Sequence, residues 1–419
     1  MATTAADRIL SLDIIRGIAV MGIFSVNVVG MAMLEQAYFY PPAYGFDHVY
    51  DKVMWAVNFI VVDGRFRSLF SILFGASMVL VIERGIAAGK KSWQVHYPRM
   101  VVLLLFGLAH FYLLWWGDIL ANYALVGMIA FIFWRLAPKW LLLASLVSLG
   151  IMYVPAVVEG TQQIAEFAAK MGPNATPEER KFMDEQFAGL TPSAEALAEE
   201  KAAHASIRAH LDSTIESQAM RPFNSVLGFG WETLGLMLLG MAGYKSGYLT
   251  GSWSRKTYAR IAAVLVGLNL LVYGTAAYLI LRADFDPFTY FPWNQIYVEV
   301  MHPISALGYA ALIMLLFDRG AVADRFAAVG RAAFTNYLGA TAIGSILFYG
   351  FGFGLFGELS RGEAWLIVPV VWAVMLLWSK PWLDRFRYGP FEWAWRSLSR
   401  WRWEPMRRRP EATAVPETA

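Results

Sequence analysis

The sequence contains no cysteine. That absence excludes disulfides, thiolate catalysis and cysteine metal sites together. Charge is scarce as well: 16% of the 419 residues are Asp, Glu, Lys or Arg, against about 25% in an ordinary soluble domain. No pair of histidines or carboxylates has a metal spacing such as HExxH, so no metal is expected. There is no GxxxxGK[ST], no dinucleotide fingerprint and no GxSxG. The net charge of +3 is small and gives no reason to expect nucleic acid as a partner.

What is present is apolar. Hydrophobic residues make up 58% of the chain, and the mean hydropathy is +0.45. These values rule out a water-soluble globule, a disordered chain and a fibrous repeat. A helix needs about 20 apolar residues to cross a bilayer. Ten long apolar runs can be read, at 14–34, 67–82, 100–116, 119–134, 140–158, 223–243, 261–281, 296–317, 332–356 and 364–379. A shorter run, 53–62, reads as an interfacial or re-entrant helix. The first run is no signal peptide, because Asp13 and Arg16 interrupt its start and no small-residue cleavage site follows. The 17 Trp and 19 Tyr suit membrane interfaces. The expected fold is all-α: a polytopic membrane bundle of about ten transmembrane helices, with that short helix and a small extracytoplasmic helical insertion.

Basic residues gather in alternate connections: Arg8; Arg84 to Arg99; Arg135 and Lys139; Lys245 to Arg260; Arg319, Arg325 and Arg331; and the C-terminal tail. The other connections lean acidic, with Glu35, Asp47, Asp51, Asp118, Asp284, Asp286, Glu358 and Glu363. The positive-inside rule then puts both termini in the cytoplasm. The organisation expected is a five-span half at 1–158, an outer insertion at 159–221, a second five-span half at 222–388 and a basic tail at 389–419. Within the insertion, Gly172-Pro173 and Thr191-Pro192 signal turns, and Thr191 reads as an N-cap. Two or three amphipathic helices are expected there, as a spacer packed on the membrane domain or as a gate. The tail beyond Pro405 reads as disordered and attracted to anionic lipid.

Ionisable groups inside a bilayer cost about 2.5–3.5 kcal/mol each, so each is a candidate site. His110 lies 11 residues beyond Arg99, about 16 Å along a helix and near the midplane. It reads either as a core histidine or as a proton-handling group. Asp118, eight residues on, is too far to touch it within one helix. Asp13 and Arg16 are spaced to pair, as an interface pair or with Arg16 facing an anionic ligand. Asp63, Arg65 and Arg67 open the second span, where at least one arginine is expected to reach a headgroup. Glu232 and Glu299 are expected to be paired inside the bundle. Asn27, His302, Asn336 and Tyr337 complete the polar set within the spans. His204 and His210 read as solvated, and His96 as lying at the inner surface.

The opening LDIIRGIAVMGIFSVN resembles the first helix of the transmembrane acyltransferase superfamily. That superfamily includes the heparan-glucosaminide acetyltransferases and bacterial membrane acyltransferases that decorate sugars. The shared features are the Arg16-Gly17 step and a polar residue eleven positions after the Arg, here Asn27. Segments 64–77, 107–127, 231–249, 330–357 and 389–399 resemble specifically the YeiB family. The resemblance implies transfer of an acyl group from cytoplasmic acyl-CoA or acetyl-CoA to a hydroxyl or amine, on a sugar or cell-envelope component, at the bacterial inner membrane. It implies basic connections that hold the donor's phosphates, with Arg16, Arg65, Asn336 and Tyr337 as donor-site candidates. Asn27, Asn336 or Tyr337 would stabilise the oxyanion. The heparan-glucosaminide enzymes place a catalytic His shortly after the Asn and an Asp about ten residues later. Asp63 fits that Asp approximately, but His48, fifteen residues before it, is out of register. Either His48 has shifted or His110 has taken the role. His110 is favoured, with Asn27 and Asp63 near it and Asp118 toward the outer exit. Expected partners are membrane lipids, acyl-CoA, an acceptor whose identity the sequence leaves open, and a second copy of the chain as an allowed homodimer. The alternatives are a small-molecule transporter or channel, and a non-catalytic lipid- or partner-binding membrane protein.

Overall fold

The computed structural model describes residues 9–170, 176–317 and 319–408. Arg8, the turn at Gly172-Pro173 and the chain from Arg409 onward lie outside the described residues. Among them the protein is a helical bundle without strands, apart from one isolated bridge between Phe386 and Arg407. Its principal helices are α1 (Leu10–Ala32), α2 (Val49–Val61), α3 (Arg65–Ala87), α4 (Ser92–Leu113), α5 (Leu120–Ala130) and α6 (Pro138–Lys170). Three short helices follow, α7 (Pro177–Ala188), α8 (Ala194–Ala203) and α9 (Ile207–Gln218). The second half holds α10 (Arg221–Lys245), α11 (Arg255–Arg282), α12 (His302–Leu316), α13 (Ala321–Arg331), α14 (Ala333–Phe348), α15 (Ile367–Arg385) and α16 (Pro390–Ser399).

Eight helical runs among the described residues are long and apolar enough to cross a membrane. The other two expected spans are shorter apolar helices, Leu120–Phe133 and Ala333–Phe348. The second is short because the glycine-rich stretch after Phe348 folds back onto its own helix end. Phe353 N–H donates to the Ile346 carbonyl at 2.8 Å, and Phe356 N–H to the Phe348 carbonyl at 2.7 Å. Apolar side chains such as Leu227, Leu271, Ile132 and Leu377 stay exposed around the bundle. A surface of that kind matches lipid, where every backbone polar group must be satisfied within the helices.

Close packing at the centre depends on glycine. A Cβ at Gly75 would stand 1.9 Å from the Met237 carbonyl oxygen, and one at Gly240 would stand 1.8 Å from that of Ile72. The backbones of α3 and α10 therefore meet directly, as small residues allow between membrane helices.

The insertion seats on one end of the bundle. Tyr112 at the end of α4 donates to the Ala219 carbonyl at 2.6 Å, and Gly350 N–H donates to the His204 carbonyl at 2.9 Å. Arg221 forms a two-point pair with Glu35 at 2.9 and 2.6 Å. Helix α8 is capped by Ser193, not Thr191; the Ser193 hydroxyl accepts from Ala196 N–H at 3.2 Å. Pro192 separates the two, so the chain turns before it enters the helix. The solvated placement of His204 and His210 does not hold. His210 is buried, and the His204 ring packs on Tyr349 at 4.2 Å and on Phe356 at 4.7 Å. Ring faces with apolar bodies serve here as packing surface under the insertion.

Candidate functional site

Helix α4 ends at Leu113, one turn earlier than continuous helix over 100–116 required. Leu114 N–H and Trp115 N–H both return to the His110 carbonyl, at 3.0 and 3.1 Å, and close the helix. The chain then turns through Trp115, Trp116 and Gly117. Trp115 is buried, and its indole N–H donates to the Gly30 carbonyl of α1 at 2.9 Å. Its ring lies where a Cβ on Gly117 would fall, 2.2 Å away, so only glycine completes this corner.

The turn brings Asp118 back against His110. His110 Nδ1 lies 2.7 Å from Asp118 Oδ2, and both side chains are 1% exposed. The expectation that the two could not touch is thus overturned, because it rested on an unbroken helix. The second carboxylate oxygen of Asp118 accepts from Ala121 N–H at 2.8 Å and fixes the start of α5. With Asp118 on Nδ1, the other ring nitrogen is left as the open position. Among the described residues no hydrogen-bond partner stands within range of the buried His110 Nε2 or of the buried Tyr337 hydroxyl, which lies next to the Ile119 backbone. The two rings are neighbours, with centroids 5.2 Å apart.

Tyr337 also forms part of the wall of a cavity of about 850 Å³. Toward the bundle interior the lining is apolar and aromatic, with Ile23, Phe70, Phe74, Leu103, Ile119 and Tyr123. The Tyr123 hydroxyl is held 2.7 Å from that of Ser71. At the opposite end, nine Lys and Arg side chains and two carboxylates line the opening. Arg16 is among them, bonded to Asp13 at 2.9 Å and to the Ser77 hydroxyl at 2.7 Å. Much of that rim comes from α16 and the segment after it, including Trp395, Arg396 and Arg400.

The remaining candidates fall elsewhere. Asn27 lines a small pocket with Tyr337 and Thr341 beside the main cavity. Asp63 is exposed at the turn before α3, and among the described residues no hydrogen bond or ion pair joins it to His110. Arg65 reaches no headgroup. It is fully buried, its guanidinium 3.4 Å from the Tyr273 ring centre, and it donates to Asn269 at 3.0 Å and to the carbonyls of Phe59, Ile60 and Asp63. Arg67 forks onto Glu232 at 2.8 and 3.1 Å, so Glu232 is paired as expected. Tyr153 donates to the same carboxylate at 2.9 Å, and His302 stands 3.9 Å from it. Asn336 is satisfied by the Val329 carbonyl, Ser379 and Trp378, which makes it a helix tie rather than an open donor. His48 lies at the start of α2; its ring is 56% exposed, stacks on Tyr50 at 4.7 Å and lies 3.3 Å from Asp51. His96, near the start of α4, is buried and bonds the Gly127 carbonyl at 2.9 Å.

Tyr123, the Arg67–Glu232 pair and the rim from α16 were not singled out from sequence. The rim's signal was present as a run of Arg and Trp after residue 386, but such a run also fits an interfacial tail.

Comparison with known proteins agrees with the extent of the bundle. A family model described as "Protein of unknown function (DUF418)" matches residues 243–402. The uncharacterized protein YeiB of Escherichia coli (strain K12) is 32% identical over 410 residues, covering 94% of this chain and 96% of that protein. The uncharacterized protein YxaH of Bacillus subtilis (strain 168) is 29% identical over 422 residues, covering 96% and 97%. No solved structure matches the chain.

Proposed function

The chain belongs to the YeiB-like family, and from that premise we propose that it is an integral membrane acyltransferase. In this reading an acyl-CoA enters the cavity from its cationic end, and the acyl group passes to a hydroxyl or amine acceptor. The observation that carries it is the buried His110–Asp118 pair: among the described residues its Nε2 has no partner, and its ring neighbours Tyr337, which lines the cavity with the basic rim. A buried polar atom without a partner costs about 1–3 kcal/mol. Such an atom beside a cavity wall favours a site that a reactant completes.

Each group has a role in the proposed reaction. Asp118 holds the imidazole and stabilises the imidazolium that forms when Nε2 takes the acceptor's proton. The acceptor oxygen or nitrogen attacks the thioester carbonyl, and Tyr337 donates to the resulting oxyanion. Collapse breaks the C–S bond, and the leaving thiolate takes the proton back from His110. Asn27, in the small pocket shared with Tyr337, is within the same neighbourhood. The dry, buried position of His110 favours it over exposed His48 as the base. On this reading the basic rim and both termini face the cytoplasm of a bacterial inner membrane, and the insertion covers the outer end.

The test is acyl transfer from radiolabelled acetyl-CoA to envelope material by reconstituted protein. His110→Ala is expected to lose about 10²–10⁴-fold, while His48→Ala stays near wild type. The reverse result moves the site to His48, and full activity in both variants turns the reading toward translocation.

A further inference from the structure

The segment after the last long helix is a folded part of the cavity wall. Arg387 N–H donates to the Met406 carbonyl at 2.9 Å, and Arg408 N–H to the Arg385 carbonyl at 3.2 Å, so the chain doubles back on itself. Trp393 stacks on Trp403 at 5.3 Å and donates to the Glu404 carbonyl at 2.7 Å. Glu392, one of the two rim carboxylates, is committed to capping α14, accepting from Phe334 N–H at 2.7 Å, Thr335 N–H at 3.1 Å and the Thr335 hydroxyl at 2.6 Å. Trp395 donates to the Arg99 carbonyl at 2.8 Å and ties α16 to α4.

This arrangement leaves guanidinium edges open at the rim. The Arg99 guanidinium lies 4.2 Å over the Trp395 ring, and that of Arg396 lies 4.6 Å over Tyr388. Arg387 faces the same Tyr388 ring at 5.8 Å. An aromatic face holds a guanidinium by its plane and uses none of its five N–H donors. Among the described residues no carboxylate lies within ion-pair distance of Arg99, Arg387 or Arg396, while Glu404 is taken by Arg400 at 3.0 Å and Arg402 at 2.9 Å. Burial first, and neighbouring Arg400, push the Arg396 guanidinium below its ordinary value, against the opposing pull of Tyr388, Glu392 and Glu404. Planar forks of this kind match phosphate oxygens two at a time.

We infer that Arg99, Arg387 and Arg396 grip a pyrophosphate group, with the slim uncharged body of the same ligand running into the cavity. Three cations on one rim call for more negative charge than a single phosphodiester carries. The apolar lining beyond them excludes a ligand charged along its whole length. The inference rests on the donor reading above, and it makes residues 386–408 part of the binding site. A soluble coenzyme and a diphosphate lipid share this chemistry.

Calorimetric titration of detergent-solubilised full-length protein separates the cases. The probes are CoA, pantetheine, which lacks the diphosphate, ADP, and vesicles containing farnesyl diphosphate. Wild type is expected to bind CoA, more weakly at high salt. Arg396→Gln and Arg99→Gln should each weaken CoA about tenfold, Arg396→Lys should weaken it less, and pantetheine binding should be the same in all of them. ADP should compete with CoA in wild type and lose that ability in Arg396→Gln. Unchanged CoA affinity in both Gln variants overturns the grip and leaves the acyltransferase reading standing, as does equal weakening of CoA and pantetheine. Arginine-dependent binding of farnesyl diphosphate without CoA binding sustains the grip and overturns acyl-CoA as donor. Binding of none of the diphosphates overturns both.

Discussion

Two buried polar pairs sit in this bundle and are built to opposite ends. Arg67 and Glu232 join α3 to α10 through a two-point fork, and Tyr153 adds a third bond to the carboxylate. His110 and Asp118 are joined at one nitrogen only; among the described residues the other nitrogen has no partner, and the ring lies 5.2 Å from that of Tyr337. A pair whose valences are filled by its own protein holds helices in register. A pair with an open valence beside a cavity is equipped to meet a reactant. The difference lies in completeness of hydrogen bonding rather than burial, since Glu232, His110 and Asp118 are all buried.

Substitutions should separate the two pairs. The largest effect is expected for His110→Gln, which should lower acyl transfer by up to about 10⁴-fold while the thermal midpoint in detergent stays within a few degrees of wild type. Glu232→Ala should do the opposite. It strands Arg67 in the bundle, and breaking a buried pair costs about 3–5 kcal/mol. The lower end applies because Arg67 is 34% exposed. The loss should appear as a lowered midpoint, with specific activity of the surviving folded fraction preserved. Gly75→Ala should cost about 1–3 kcal/mol by forcing α3 away from α10, again without a selective effect on transfer.

The smallest effect concerns the insertion. Burial and nearby His204 lower the His210 side chain to about 4, from the usual 6.5. The docked insertion therefore keeps His210 neutral, and its docking is strongest above about pH 6.5 and weakens as pH falls toward 4. Glu200, raised to about 7 by burial and Glu35, runs the opposite way. The His210→Phe variant isolates the histidine's share: hydrogen-exchange protection factors in α8 and α9, corrected for intrinsic exchange, should fall on acidification in wild type and less in the variant.

Much of the membrane architecture was legible because lipid demands long apolar runs, and the glycine-rich 350–357 stretch misled only about where α14 stops. His110 and Asp118 were both visible as costly residues, but their contact was not. It depends on a helix ending one turn early, and the cause is the packing of Trp115 against α1 and over Gly117. At least one of Arg65 and Arg67 read as a headgroup contact because their partners, Asn269 and Glu232, are far away in sequence. The C-terminal rim was legible as a basic aromatic stretch and illegible as part of a cavity wall, since Glu392 caps a helix some 57 residues upstream.

The most direct measurement is a double-mutant cycle on acyl transfer with His110→Ala, Asp118→Asn and the two combined. If Asp118 acts only through His110, the combined variant should be no slower than His110→Ala alone, because groups that act as one unit are not additive. Multiplying losses, or an Asp118→Asn variant with wild-type turnover, would contradict the account and leave His110–Asp118 a structural pair like Arg67–Glu232.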